Sequence, residues 1–300
     1  MTVEAESGSP PIRLLRCVTA VLTTARPRQW PKNLLVFAAP LAGATLGRDD
    51  GLGYALVAAA AFGCASVAVY LANDVADAER DRRHPRKRHR PVAAGDLPKS
   101  HAIALSTVGA AAGITAGLVI SEPLLTASVG GYLGISFLYY GLLKHIPVVE
   151  LCFVASGFLL RVLGGAAATH VRPSGWFLLV CSLGAFGVAV AKRYTELTHL
   201  GAEAIAHRPA MRRYRAGALR LAQLAAGAAM IGCYLAWAAG QPPGAARWHL
   251  ASGLPLAAAL VRFGVLTGRG TATPVEDLLT RDRVMVACEL AWLTLFAAGL

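Results

Sequence analysis

Apolar residues run through this chain in blocks of about twenty, each ended by a short polar break. At about 1.5 Å per residue, a helix of that length crosses a hydrocarbon core of roughly 30 Å. Nine blocks are legible, near 30–47, 53–75, 101–120, 123–143, 147–168, 175–191, 217–239, 250–268 and 283–300. The pattern predicts an all-α, polytopic membrane protein with nine transmembrane helices. Gly-, Pro- or Asp-bearing turns such as "GRDDG", "SEP" and "HVRPSG" separate some blocks. Longer polar connections occupy 76–100 and 192–216, and a shorter one 269–282. Residues 1–20 are expected to form a mostly disordered cytoplasmic tail and 21–300 a single membrane domain. No basic stretch leads into a short apolar core at the start, so no cleaved signal peptide is expected.

Composition sharpens this. The chain is 55% hydrophobic and 15% charged, with a mean hydropathy of +0.51, too apolar for an ordinary soluble domain. Net charge is +12, and its placement matters more than its size. With the N-terminus in the cytoplasm, twenty-four of the 29 Lys/Arg fall in cytoplasmic segments and three on the opposite side. That bias sets orientation by the positive-inside rule. It predicts a multi-pass plasma (inner) membrane protein with its long polar loops, and its active site, facing the cytoplasm. The charge belongs to topology and anionic ligands, not to nucleic acid. The six cysteines lack C-x-x-C spacing and read as packing residues. The histidines, His249 among them, lack zinc spacing and are expected at surfaces or interfaces.

The informative stretch is "YLANDVADAERDRRHPRKRHRPVAAG", residues 70–95, which follows the second apolar block. Asn73, Asp74, Asp77 and Asp81 form N-D-x-x-D-x-x-x-D. If the helix continues past the membrane surface, all four fall within one arc of about 100°. Clustered carboxylates repel one another. A divalent cation relieves that repulsion, and Mg²⁺ takes carboxylates together with water and phosphate oxygens. Arg80, Arg82, Arg83, Arg86, Lys87, Arg88 and Arg90 follow closely enough to hold a diphosphate. The bland alternative is a solvated helix end whose acids pair with neighbouring bases. Inside the blocks, Glu150 and Arg161 are isolated charges that need partners from other helices. Arg161 is expected to be structural, and Tyr139 and Tyr140 to pack.

With these residues the chain resembles the UbiA superfamily of intramembrane prenyltransferases, which implies a nine-helix bundle and Mg²⁺ bridging carboxylates to a diphosphate. "RPRQWPKNLLVFAAPL" (26–41), "NDVADAERDRRHPRKRHRPVAAG" (73–95), "GLLKHIPVVEL" (141–151) and "KRYTEL" (192–197) resemble its decaprenyl-phosphate phosphoribosyltransferase branch. That branch begins the arabinose-donor pathway for cell-wall arabinan. The family's second acidic motif, D-x-x-x-D, is replaced here by Lys192-Arg193-Tyr194-Thr195-Glu196. A cation in that place suits a substrate carrying an additional phosphate.

The resemblance implies transfer of a phosphoribosyl group from phosphoribosyl pyrophosphate to a polyprenyl (decaprenyl) phosphate in the lipid bilayer, with pyrophosphate leaving. It implies Asn73, Asp74, Asp77 and Asp81 as ligands of Mg²⁺ and the diphosphate, Asp81 through an outer contact. Lys87 and Arg88 are candidates for pyrophosphate. Lys192, Arg193 and Tyr194 are candidates for the donor's phosphates, and Glu196 for a ribose hydroxyl or metal-bound water. Lys144, Arg28 and Lys32 lie at the same surface and reach for phosphate or anchor the interface. The nucleophile is already an anion, so no Ser-His-Asp or Cys-His device is needed, and none is present in the pattern. Transfer of a prenyl group to an aromatic acceptor is the alternative within the fold. A transporter or scaffold is the alternative outside it, and it predicts charges strung across the membrane instead of gathered at one face. Association between like copies is compatible with the sequence.

Overall fold

A computed structural model of the chain describes residues 18–48, 50–85, 87–141, 146–201, 209–269 and 273–300. Most of the expected N-terminal tail, and Lys144, lie outside the described residues. The described residues contain helices and no strands. Eight long helices follow in order: α1 Gly51–Arg82, α2 Lys99–Val119, α3 Pro123–Gly141, α4 Val149–Ala168, α5 Gly175–Leu200, α6 Ala216–Ala239, α7 Pro243–Gly268 and α8 Arg283–Ala297. Six of them, α1, α2 and α4–α7, are long and apolar enough to cross a membrane. Nearly every helix packs on the next in sequence, and α1 also contacts α3 and α4. Short connections leave antiparallel neighbours as the simplest arrangement.

The first expected helix, 30–47, does not form as one element. Pro27–Phe37 is a 3₁₀ segment containing Pro31, and Ala38–Ala42 is a single short α stretch. Pro31 and Pro40 lack the N–H that a continuous α-helix uses, and their rings crowd the preceding turn. The second helix differs in the other direction. α1 runs on to Arg82, well beyond the apolar block, and stops just before Pro85. α5 likewise carries the Lys192–Glu196 segment within its helix. Ser174 caps α5 by accepting from Phe177 N–H (3.1 Å), and Asp282 caps α8 by accepting from Met285 N–H (3.0 Å). Arg262 donates to both carboxylate oxygens of Asp282 (3.2 and 2.8 Å). That bond, more than the cap, holds the Asp282 carboxyl down to about 2.

The largest core gathers Ala58, Phe62, Ala65 and Val69 of α1 with Leu125, Val129 and Tyr132 of α3, Val36 of the leading segment and Ala168 of α4. Arg161 sits inside it at 4% exposure. Its Nε donates to Asn33 Oδ1 (2.9 Å), one terminal nitrogen to Gly157 O (2.7 Å) and the other to Ser66 Oγ (2.8 Å). The guanidinium also lies 4.4 Å from the Tyr132 ring centre and 5.7 Å from that of Phe62. A buried charge is tolerable only with its hydrogen bonds made, and two aromatic faces add cation–π attraction. The arrangement agrees with the structural role expected for Arg161. It fastens the broken leading segment to α1 and α4 through Asn33 and Ser66.

His249 departs from expectation. It is buried at 3% exposure, with its ring centre 4.7 Å from that of Trp237 and 5.0 Å from that of Phe296. Aromatic neighbours on α6 and α8 make this α7 position interior, which single-helix periodicity does not reveal.

The tightest approach in the core is at Gly165, where an added methyl would stand 1.8 Å from the carbonyl oxygen of Val36. Gly165→Ala is expected to lose roughly 1–3 kcal/mol or more by overpacking. Gly227→Ala, whose added methyl meets nothing within 4 Å, is expected to hold or raise stability. Thermal unfolding of both variants in one detergent checks this; equal midpoints would remove the tight contact from the account.

Candidate active site

The acidic motif lies on the last three turns of α1. A helix that outruns its apolar stretch must give its polar residues partners, and here the following turn supplies them. Asp74 and Asp81, seven residues apart and so on one face, are both 2% exposed. Arg90 bridges them, its Nη1 lying 2.7 Å from Asp81 Oδ2 and 3.3 Å from Asp74 Oδ1. Arg26 reaches the same Asp74 oxygen at 2.5 Å. Asp77 points elsewhere, accepting from Arg80 at 3.0 Å, and is 16% exposed. Asn73 is half-buried beside them.

Both guanidiniums come from residues that precede a proline. Arg90 is extended (φ −65°, ψ 138°) ahead of Pro91, which opens the short helix Pro91–Ala94. Arg26 takes a left-handed conformation (φ 51°, ψ 65°) ahead of Pro27, which costs a non-glycine residue about 1–2 kcal/mol. Strain of this kind gathers at functional sites. Arg26 also lies 5.1 Å from the Tyr70 ring centre, one turn before Asp74. Neither arginine stands out by spacing. Arg26 carries only the Arg-Pro dipeptide at 26–27 as a sequence mark, whereas Arg90, expected among the cations for a diphosphate, is turned onto the carboxylates instead.

The expected four-ligand set is therefore not gathered at one point. Among the described residues no three His, Cys, Asp or Glu side chains stand close enough to hold a metal by themselves. Asn73, Asp74 and Asp77 are oxygen donors on neighbouring positions, suited to a hard cation that takes its remaining ligands from phosphate and water. Asp81 is committed to Arg90.

The other candidates are spread over three elements. Lys87 and Arg88 lie on the 3₁₀ turn Lys87–His89; Arg88 is exposed and donates to His89 Nε2 at 3.2 Å. Arg28 is exposed on the leading segment. Lys32, half-buried there, donates to Gln29 and lies 5.9 Å from the Phe158 ring centre. On α5, Lys192 is half-buried. Arg193 is 2% exposed and fully engaged: it donates to Glu150 Oε1 (2.8 Å), Glu196 Oε2 (2.8 Å) and Tyr139 Oη (3.3 Å). This leaves Arg193 and Glu196 tied to each other instead of facing a substrate, and it answers where the partner of Glu150 is. Tyr139, expected only to pack, donates to Glu150 Oε2 at 3.4 Å. Tyr214 accepts from Val148 N–H (2.9 Å), and burial, ahead of every other cause, pushes its hydroxyl up to about 12. Tyr194 packs with Leu151, Val190 and Leu219.

Glu150 is 0% exposed, so its removal leaves Arg193 half-compensated in the interior. Glu150→Ala is expected to cost roughly 3–5 kcal/mol. Glu79→Ala, at a carboxylate 68% exposed and paired with Arg82 and Lys99, is expected to leave the unfolding midpoint close to that of wild type, because water screens an exposed pair. Thermal unfolding reads both; a Glu150→Ala variant as stable as wild type would contradict the buried network.

Comparison with known proteins finds relatives over nearly the whole chain. The model of the UbiA prenyltransferase family matches residues 34–273. The decaprenyl-phosphate phosphoribosyltransferase of Mycobacterium tuberculosis is 37% identical over 296 residues, covering 97% of this chain and 96% of that protein. The protein of the same name from Mycolicibacterium smegmatis is 34% identical over 316 residues, covering 100% and 98%. Among solved structures, a UbiA homolog from Archaeoglobus fulgidus bound to GPP and Mg²⁺ superposes with a TM-score of 0.70 at 14% identity, covering 93% of this chain and 98% of that one. With helices in this order, an acidic motif ending the first long helix, and a family match over most of its length, the chain belongs to the UbiA prenyltransferase family.

Proposed function

We propose that this protein is a Mg²⁺-dependent polyprenyl-phosphate phosphoribosyltransferase of the plasma membrane. In this reading it moves the 5-phosphoribosyl group of phosphoribosyl pyrophosphate onto decaprenyl phosphate and releases pyrophosphate. The observation that carries the reading is the end of α1, where buried and half-buried carboxylates stand among guanidiniums. Relatives bearing that activity's name, similar over nearly the full length, support it. We count nine passes by adding the leading segment, α3 and α8 to the six membrane-length helices. The distribution of Lys/Arg supports a site at the cytoplasmic face.

The reaction joins an oxygen of the acceptor phosphate to C1 of the ribose as the C1–O bond to pyrophosphate breaks. C1 gains oxocarbenium character, and direct displacement inverts it. Asn73, Asp74 and Asp77 are the residues that would hold Mg²⁺, which would offset the charge of the leaving diphosphate. The chain does the rest. Arg90 and Arg26 hold Asp74 in place, and Asp81 positions Arg90. Lys87 and Arg88 supply cations on the turn that follows α1. Lys192 faces the donor's phosphate, while Arg193, clamped between Glu150 and Glu196, fixes that stretch of α5 and is a positioning residue. Arg28 and Lys32 offer charge to the lipid's phosphate at the membrane surface. No residue need take a proton from the nucleophile, which is already an anion.

The test uses protein in lipid nanodiscs, labelled phosphoribosyl pyrophosphate and polyprenyl phosphate, with and without Mg²⁺. A phosphoribosylated lipid should form only with the metal. Turnover of a prenyl diphosphate onto an aromatic acceptor, with no such lipid, would reject the reading. Asp74→Ala and Asp77→Ala should each abolish turnover while the protein stays folded; wild-type rates in either would remove the carboxylates from the site. Lys192→Asp should raise the donor KM or lower kcat by at least about tenfold, the scale of one lost charge-assisted contact. Unchanged donor kinetics would withdraw Lys192.

A further inference from the structure

Most partly or fully buried arginines in this bundle have their charge answered. Arg193 meets two carboxylates, Arg262 meets Asp282, and Arg161 has all its donor groups used and an aromatic ring on either hand. Arg220, one turn into α6, is different. Its Nη1 donates to Gln223 Oε1 (3.1 Å) and Thr267 Oγ1 (3.2 Å). Gln223 Nε2 donates to the same Thr267 oxygen at 2.9 Å, and the Thr267 hydroxyl donates to Phe263 O at 2.9 Å. Gln223 is 4% exposed and Thr267 0%. The guanidinium carbon lies 5.7 Å from the Tyr194 ring centre. Gly264 and Gly268 of α7 leave room for it; a methyl on Gly268 would stand 3.0 Å from Nη2.

The result is a guanidinium fixed by neutral groups from α5, α6 and α7, one edge spent on Nη1 and the other unspent. Among the described residues no carboxylate stands within ion-pair distance of it. The side chain is half-buried, and among the described residues only its Nη1 donates a hydrogen bond. A rigid fork with an unanswered charge is the form in which arginine recognises phosphate. Tyr194, which flanks it, is two residues beyond Lys192.

We propose that Arg220 binds a phosphate monoester of one of the two substrates, either the ribose 5-phosphate or the acceptor lipid's phosphate. The proposal rests on the functional reading above and extends it to a cation on a different helix. Thr267 and Gln223 preset the fork, and the phosphate takes the edge carrying Nε and Nη2.

The experiment measures direct binding of ribose 5-phosphate and of a short polyprenyl phosphate to wild type, Arg220→Gln, Arg220→Lys and Thr267→Val in nanodiscs. One of the two probes should bind about tenfold or more weakly to Arg220→Gln, with Arg220→Lys between, and the other probe should be unaffected. Which probe is lost tells which phosphate Arg220 holds. Thr267→Val should lower the thermal midpoint, since it unties α6 from α7, and weaken the same probe by less than Arg220→Gln does, because the charge stays while its preset orientation loosens. The proposal is overturned if wild type binds neither probe, if Arg220→Gln binds both as wild type does, or if Arg220→Gln weakens both probes equally. Failure of the functional reading looks different: wild type makes no phosphoribosylated lipid, whatever its affinity for the probes.

Discussion

Two guanidiniums converge on one buried carboxylate at the end of α1, and the polar part of the molecule is organised by that contact. Asp74 is nearly inaccessible to solvent, so an ionised form requires charge and hydrogen bonds from the protein. Arg26 arrives from ahead of the first turn of the leading segment and Arg90 from beyond α1. Chain that would otherwise be a loose loop is thereby drawn onto the helix. Arg90 extends the contact to Asp81, and Arg82 Nε, donating to Ala93 O at 3.1 Å, folds the same loop back a second time. The loop's cations are thus held at the α1 end, where a diphosphate would meet them.

The apolar architecture serves the same end. Arg161 fastens the leading segment through Asn33, and that segment carries Arg28 and Lys32 and follows directly on Arg26. Glu150 on α4 holds Arg193 on α5, which fixes the stretch of α5 that carries Lys192. A membrane bundle gains little from hydrophobic association between helices and relies on close packing and interior hydrogen bonds. The buried polar networks are therefore both the cement of this fold and the frame of its site.

Much of this is legible in the chain. Blocks of apolar residues announce the helices, and the N-D-x-x-D-x-x-x-D spacing announces the acidic end of α1. Arg161 and Glu150 are conspicuous as charges in apolar surroundings, and both find the partners on other helices that such surroundings demand. What spacing does not convey is which cation meets which acid. Asp77 turns to Arg80, and Asp81 to Arg90, because side-chain reach and the path of a loop decide the pairing. Arg193 looks available from its motif and is spent internally, a consequence of α4 and α5 packing that no local pattern contains. Pro31 and Pro40 foreshadow the broken leading segment, since their effect on the backbone outweighs the apolar character of the run around them. His249 and Arg220 owe their surroundings to helices distant in sequence.

The central claim is that the carboxylates ending α1 hold a divalent cation together with a diphosphate. Electron paramagnetic resonance with Mn²⁺ in place of Mg²⁺, on the full chain in nanodiscs with inorganic pyrophosphate added, tests it most directly. A bound-Mn²⁺ signal with resolved coupling to phosphorus, present in wild type and absent in Asp77→Asn, is the predicted result. A spectrum that matches free Mn²⁺-pyrophosphate, or one the same in wild type and Asp77→Asn, would contradict it.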